Sequence, residues 1–205
     1  MVLGAVLVLA ALSLFLWNKR ENNEAGTSAE KILPQVIEQL ETPGAGQEVE
    51  EPSYPDPYDP TMTEVEIDGY AYVGVLSIPS LELELPVMSE WDYTRLKIAP
   101  CRYAGSTKTD DLVICAHNYT RHFGPIRNLT PGDTVTFTDM DGVVWQYEVV
   151  AVDILAPTWA NRAILHGAFF GSLLITTWPP DLFRKGIIAG QGAFVDRIYG
   201  IWNKM

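Results

Sequence analysis

Asp110 and Asp111 lead into an apolar run, Leu112-Val113-Ile114-Cys115-Ala116, that delivers His117 and Asn118 to its end. Arg121, His122, Phe123, Gly124 and Pro125 follow at once. An imidazole exchanges a proton near neutral pH, and a strand end holds it on rigid backbone beside solvent. That is the placement a general acid or base needs. The competing reading is a loop or core histidine with no reactive role.

Cys115 stands two positions before His117. In a regular strand both fall on one face, about 6.5–7 Å apart, too far for direct thiolate–imidazole contact. Cys115 therefore reads as a small buried core residue. Cys101 precedes Arg102 in a segment that reads as loop, and is an incidental thiol. A bond between the two suits an oxidising compartment, but their spacing supplies no geometry. Two cysteines make neither a disulfide framework nor a four-ligand zinc site. Asp139 and Asp141 fall in a turn, where carboxylates are turn formers before they are calcium ligands. His122 reads as a surface residue, and His166 has no partner that spacing can name. Trp159, Trp178 and Trp202 are either core or a partner-facing patch. No cofactor and no metal is expected.

The elements that position these residues are mostly β. Residues 71–78 read as a strand stopped by Pro79. Leu81, Leu83 and Leu85 alternate with Ser80, Glu82 and Glu84, the pattern of a half-buried strand. Residues 89–98 suit a helix capped by Ser89, with Glu90 and Asp92 in its first turn. Residues 100–109 read as loop, and 123–129 as a single helical turn. Thr134 to Thr138 alternates, Asp139-Met140-Asp141-Gly142 makes a tight turn, and residues 143–155 return as a long strand. Residues 173–177 form a plausible buried strand stopped by Trp178-Pro179-Pro180, and residues 186–189 another. Residues 193–202 suit strand or helix.

Composition divides the chain. Its net charge of −12 opposes nucleic acid as a partner. Residues 1–157 carry a net −15 and residues 158–205 a net +3, so the character changes near 158. Residues 2–17 are an apolar run, slightly short for the roughly 20 residues of a full span. Residues 1–20 are expected to be an N-terminal membrane anchor. Lys19 and Arg20 follow the run; an outward-facing domain then calls for a basic leader upstream of Met1. Residues 21–62 are expected to be an acidic, proline-rich linker. Residues 21–60 hold ten acids against one Lys31, and six of the fourteen prolines. Such a stretch buries too little to offset its ordering entropy. Ile32, Leu33, Val36, Ile37 and Leu40 fall at helical spacing within it, fitting either a helix on the domain or a transient one in a tether. Residues 63–205 form the remaining domain.

Several passages in this order resemble a sortase. They are Gly74-Val75-Leu76-Ser77-Ile78-Pro79 with Leu85-Pro86-Val87, Arg102-Tyr103-Ala104-Gly105-Ser106, and Leu112 through Asn118. Then come Phe123-Gly124-Pro125-Ile126-Arg127-Asn128-Leu129 with Pro131-Gly132-Asp133, and Tyr147-Glu148-Val149. The His-Asn and Phe-Gly-Pro passages look closer to the class B and class D branches than to class A. The resemblance covers about residues 70–157. It implies a mainly β fold, a closed barrel with short helices. It also implies a membrane-bound, extracytoplasmic transpeptidase of Gram-positive cells. In such an enzyme a cysteine thiolate attacks a sorting-motif peptide of the Leu-Pro-x-Thr-Gly kind. An amine acceptor on cell wall or pilin then resolves the thioester, a histidine acts as acid or base, and an arginine steadies the oxyanion.

His117 matches the family histidine, and Arg184 has a spacing that suits the arginine. Thr177 stands at the family cysteine position, or Trp178 does if the register slips by one. A threonine hydroxyl is a poor nucleophile unless a base activates it. Three functions stay open: a sortase-type transpeptidase, active or inactivated by the absence of its cysteine, a peptide-binding pseudo-sortase, and a frame-disrupted product whose tail does not pack. The site reading expects the imidazole of His117 and the strand end near 177 to face one another across a peptide-sized groove.

Overall fold

Nine strands make up just over half of the described residues beyond 60 in the computed structural model, which describes residues 2–41, 61–109, 111–155, 172–178 and 184–190. One helix, α1 (Val2–Glu41), precedes them. The strands are β1 (Val65–Ile67), β2 (Tyr70–Ile78), β3 (Leu83–Met88), β4 (Cys101–Ala104) and β5 (Val113–His117). After them come β6 (Thr134–Asp139), β7 (Val144–Leu155), β8 (Ser172–Trp178) and β9 (Arg184–Gly190). Their order in the sheet is β1-β2-β3-β4-β5-β8-β9-β7-β6, and β6 returns to pair with β2. The sheet thus curls round on itself, with β1 outside the ring. Closure satisfies backbone groups that an open edge would leave bare. Neighbours run antiparallel except β3–β4 and β5–β8, which are parallel.

The seam between β2 and β6 depends on one glycine. Gly74 opposes Asp139 there, with φ +154°, beside a bulge in β2. A Cβ at Gly74 would lie 2.2 Å from the Thr138 carbonyl oxygen. Only a residue with no side chain lets the two backbones meet.

The β6–β7 hairpin forms as its alternation and turn dictate. Asp139 is its clasp. Its Oδ1 accepts from the amides of Asp141 and Val143, at 3.1 and 3.0 Å, and its Oδ2 from Trp145 Nε1 at 2.7 Å. Asp141 accepts from the Thr63 hydroxyl at 2.6 Å and lies 3.8 Å from Lys108 Nζ. Both carboxylates are engaged in holding turns.

Apolar side chains bury on both sides of the curled sheet. One cluster holds Leu76, Ile78, Leu85, Ile114, Ala116, Phe123, Val135 and Phe137. A second lies between sheet and helix, with Ile32, Val36, Tyr72, Val75, Met88, Leu96, Cys101 and Cys115. β5 feeds both: Ile114 and Ala116 enter the first and Cys115 the second, as the two-residue period of a strand requires.

Three segments differ from the sequence reading. Residues 21–41 are not part of an extended linker but the second half of α1, which packs on β1, β2 and β3. Ala25, Ala29, Ile32 and Val36 form its buried stripe. Their spacing of four, three and four is the helical one, and the two alanines let the helix approach closely. Residues 89–98 are not a helix. Only Arg95–Lys97 forms a 3-10 turn, because Ser89 N still bonds to the Ala71 carbonyl as sheet and Asp92 caps Thr94 and Arg95 instead. Residues 101–104, read as loop, are strand β4, which has too few residues for an alternation to show. Gly124–Asn128 is the expected single turn, of 3-10 type. Residues 42–60, His166, Trp159, Trp202 and the segment 193–202 lie outside the described residues.

The first half of α1 carries an exposed apolar face from Leu3 to Trp17. Counted with the rest of the helix it is long and apolar enough to cross a membrane.

Candidate active site

His117 is the last residue of β5 and is half-buried. β8 runs parallel beside it. Its register sets Thr177 opposite Ala116 and Trp178 opposite His117. β9 runs back along β8 and begins at Arg184, which opposes Leu155 of β7. The ends of β5 and β8 and the start of β9 therefore meet on one rim of the ring. His117 and Thr177 do not face one another across a groove. They sit on neighbouring parallel strands, one register step apart, and the residue directly opposite His117 is Trp178. Arg184 is one strand further along the same rim.

The loop after His117 folds tightly back. Phe123 N donates to the His117 carbonyl at 3.2 Å, and Gly124 N to the Tyr119 carbonyl at 2.9 Å. Phe123 is fully buried and anchors the loop in the first core. Tyr119 lies over the imidazole of His117, ring centroids 4.9 Å apart, and meets His122 edge-on at 5.5 Å. Burial, and then the charge of Glu21, pushes the Tyr119 phenol up to about 12.

α1 covers this loop. Asn22 Nδ2 donates to the Thr120 hydroxyl and Thr120 N donates to Asn22 Oδ1, each at 2.8 Å. Arg121 pairs with Glu30, and Lys97 with Glu21 at 2.8 Å. Gly26 is where helix and loop touch, since a Cβ there would lie 2.8 Å from Arg121 Cβ. His122, expected at the surface, is fully buried beneath the helix. Its Nε2 lies 3.3 Å from the Ala25 carbonyl and donates to it. Its Nδ1 is buried with no hydrogen-bond partner among the described residues. Burial lowers the imidazole to about 4, against the opposing pull of the Ala25 carbonyl and with a smaller lowering from His117. His122 is thus a neutral packing residue at neutral pH.

The Arg102-to-Ser106 passage is a structural clasp. Arg102 Nε donates to the Ser89 carbonyl at 2.9 Å and its Nη1 to the Gly105 carbonyl at 3.2 Å. Asp111 Oδ1 accepts from Ser106 N at 3.0 Å and from the Thr109 hydroxyl. An open cleft of about 310 Å³ lies here, lined by Ser89, Trp91, Arg102 and Tyr103. It belongs to the far end of β4, which pairs with the start of β5, away from His117.

Neither cysteine is placed to act as a nucleophile. Cys101 and Cys115 are fully buried. Burial raises both thiols, that of Cys115 to about 12, so neither supplies thiolate near neutral pH.

The curled sheet places a histidine-bearing strand end beside two further strand termini. Residues 76–172 match the family model described as "Sortase domain". Over that stretch, just under half of its length, the chain resembles the sortase family. Solved structures agree on the fold. The chain is similar to a sortase D5 transpeptidase of Clostridium perfringens, with 14% identity and TM-score 0.55, over 80% of this chain and 98% of that one. It is similar to sortase A of Corynebacterium diphtheriae, with 18% identity and TM-score 0.52, over 62% of this chain and 63% of that one. It therefore spans less than two thirds of the Corynebacterium protein's length. Sortase A of Listeria monocytogenes matches at 15% identity and TM-score 0.50, over 65% and 90%. No curated protein matches the chain.

Proposed function

We propose that this chain is a single-pass, membrane-tethered sortase-type protein. Its extracytoplasmic rim binds the sorting-motif peptide of a secreted protein without forming a thioester. The observation that supports this is the register of β5, β8 and β9, which sets the ends of β5 and β8 and the start of β9 toward one rim. In the cysteine-bearing reaction a thiolate attacks the motif carbonyl. The histidine protonates the departing amine, and an amine of cell wall or pilin then displaces the acyl group. Here position 177 offers a hydroxyl, and the chain's two thiols are buried and protonated. What remains is an arginine at the start of β9, a histidine at the end of β5, and a strand rim to receive an extended chain.

Of residues 158–205, the structure describes only β8 and β9. β8 and β9 pair with β5 and β7 and complete the ring.

The test is titration of the detergent-solubilised full chain with a Leu-Pro-x-Thr-Gly-type peptide and an amine acceptor. Saturable binding without turnover is expected, weakened at least fivefold by Arg184→Ala. Absence of binding would end this reading. An ester adduct on Thr177 would replace it with slow catalysis through the hydroxyl.

A further inference from the structure

Cys101 and Cys115 are direct Cα partners across the β4–β5 pair. Opposed residues of an antiparallel pair share a face, with Cα atoms about 4.5 or 5.5 Å apart. Both values fall within the roughly 4.4–6.8 Å that a disulfide spans. The two side chains are fully buried in the same cluster between sheet and helix. Cys115 Sγ lies 3.6 Å from the carbonyl oxygen of Cys101 itself. We propose that these residues form an intramolecular cross-strand disulfide that staples β4 to β5.

The strand they staple, β4, is the most thinly paired of the described ring. β4 has four residues and meets β3 at a single pair, Met88 with Cys101. Its pairing with β5 is interrupted by an irregularity between Arg102 and Ala104. In the reduced form each thiol makes only a weak contact to a carbonyl, Cys101 to Ala99 at 3.5 Å and Cys115 to Cys101. A bond therefore displaces little. It closes a short loop and ties β5 two residues ahead of His117.

The step is an exchange with a small-molecule or protein disulfide as oxidant. One thiolate attacks an oxidant sulfur and releases the first oxidant thiol. The second cysteine then attacks the mixed disulfide and releases the other. One sulfur–sulfur bond breaks in the oxidant and one forms in the chain. Two electrons and two protons pass to the oxidant. Burial keeps both thiols protonated in the native fold, so the exchange takes place while the chain folds.

The full chain, in detergent, is unfolded under reducing conditions and refolded with reduced and oxidised glutathione. It is then denatured, alkylated and mapped by peptide mass. A second preparation is expressed in an oxidising secretory compartment and mapped without refolding. The expected result in both is a linked pair of peptides holding Cys101 and Cys115 and no alkylation of either. The melting temperature should rise by roughly 5–10 °C and fall back with reductant. Cys115→Ser should abolish the link and the shift. Full alkylation of both thiols in natively folded chain would overturn the proposal. So would glutathione adducts alone, or a link found only in chain that has lost its native fold. None of these outcomes depends on peptide binding at the rim, so this inference and the functional one fail separately.

Discussion

Asn22 and Thr120, 98 residues apart, exchange two hydrogen bonds of 2.8 Å each. The exchange joins α1 to the loop that leaves His117. The same helix carries the apolar run from Leu3 to Trp17, and the one proline inside it, Pro34, lies beyond Asn22. The segment that can enter a membrane and the segment that holds the histidine loop are therefore one rod. Forty residues of helix span roughly 60 Å.

Asn22→Ala should loosen that loop without unfolding the ring. The pair is exposed, so the expected loss of stability is about 1 kcal/mol. Gly26→Val should act more strongly, because its Cβ meets Arg121 Cβ as well as the mobile end of that side chain. Hydrogen exchange should rise at residues 119–124 in both variants and stay unchanged in β6 and β7. Equal acceleration throughout the sheet would mean that the helix supports the whole domain instead.

His122 should make stability depend on pH. Its folded value is about 4, below its ordinary 6.5. The unfolded chain thus takes up a proton that the folded chain refuses. The neutral form's contribution is intact above 6.5 and is lost as pH falls from 6.5 towards 4. The full loss is on the order of 3 kcal/mol, with a limiting slope of about 1.4 kcal/mol per pH unit. Carboxylates titrate in the lower part of this range, so the comparison is with His122→Phe. Denaturant unfolding between pH 7 and 4.5 should be steeper in pH for the native chain than for the variant. Parallel curves would place His122 in contact with solvent.

Asp139→Ala should cost about 3 kcal/mol by urea unfolding. It strips three hydrogen bonds from a buried carboxylate and leaves Trp145 Nε1 without its acceptor. Added calcium should not alter the stability of the native chain if the carboxylate serves only the turn. A rise in melting temperature with calcium would reopen Asp139 and Asp141 as ligands.

Much of the ring was legible where the signal is local. The β6–β7 hairpin follows from alternation and an Asp-x-Asp-Gly turn, and β5 from an apolar run ending in His117. The run 173–177 marks β8 and the run 186–189 part of β9. The misses are non-local. β4 is a strand only because β3 and β5 flank it. The acids of residues 21–41 suggested a solvated tether, yet Ala25 and Ala29 let the helix dock, and small residues barely register in a hydrophobic pattern. His122 is buried by a helix that lies 97 residues earlier. The alignment of the ends of β5 and β8 needed their parallel pairing, which residue spacing alone does not determine.

We propose that position 177 is the nucleophile position of this rim, lacking only the thiol. The most direct measurement is the intact mass of Thr177→Cys after incubation with the sorting-motif peptide. A hydroxylamine-sensitive acyl adduct is predicted in that variant, greatly diminished when His117→Ala is added, with none on the native chain. Peptide binding without any adduct on Thr177→Cys, or the same adduct only on Trp178→Cys, would contradict it.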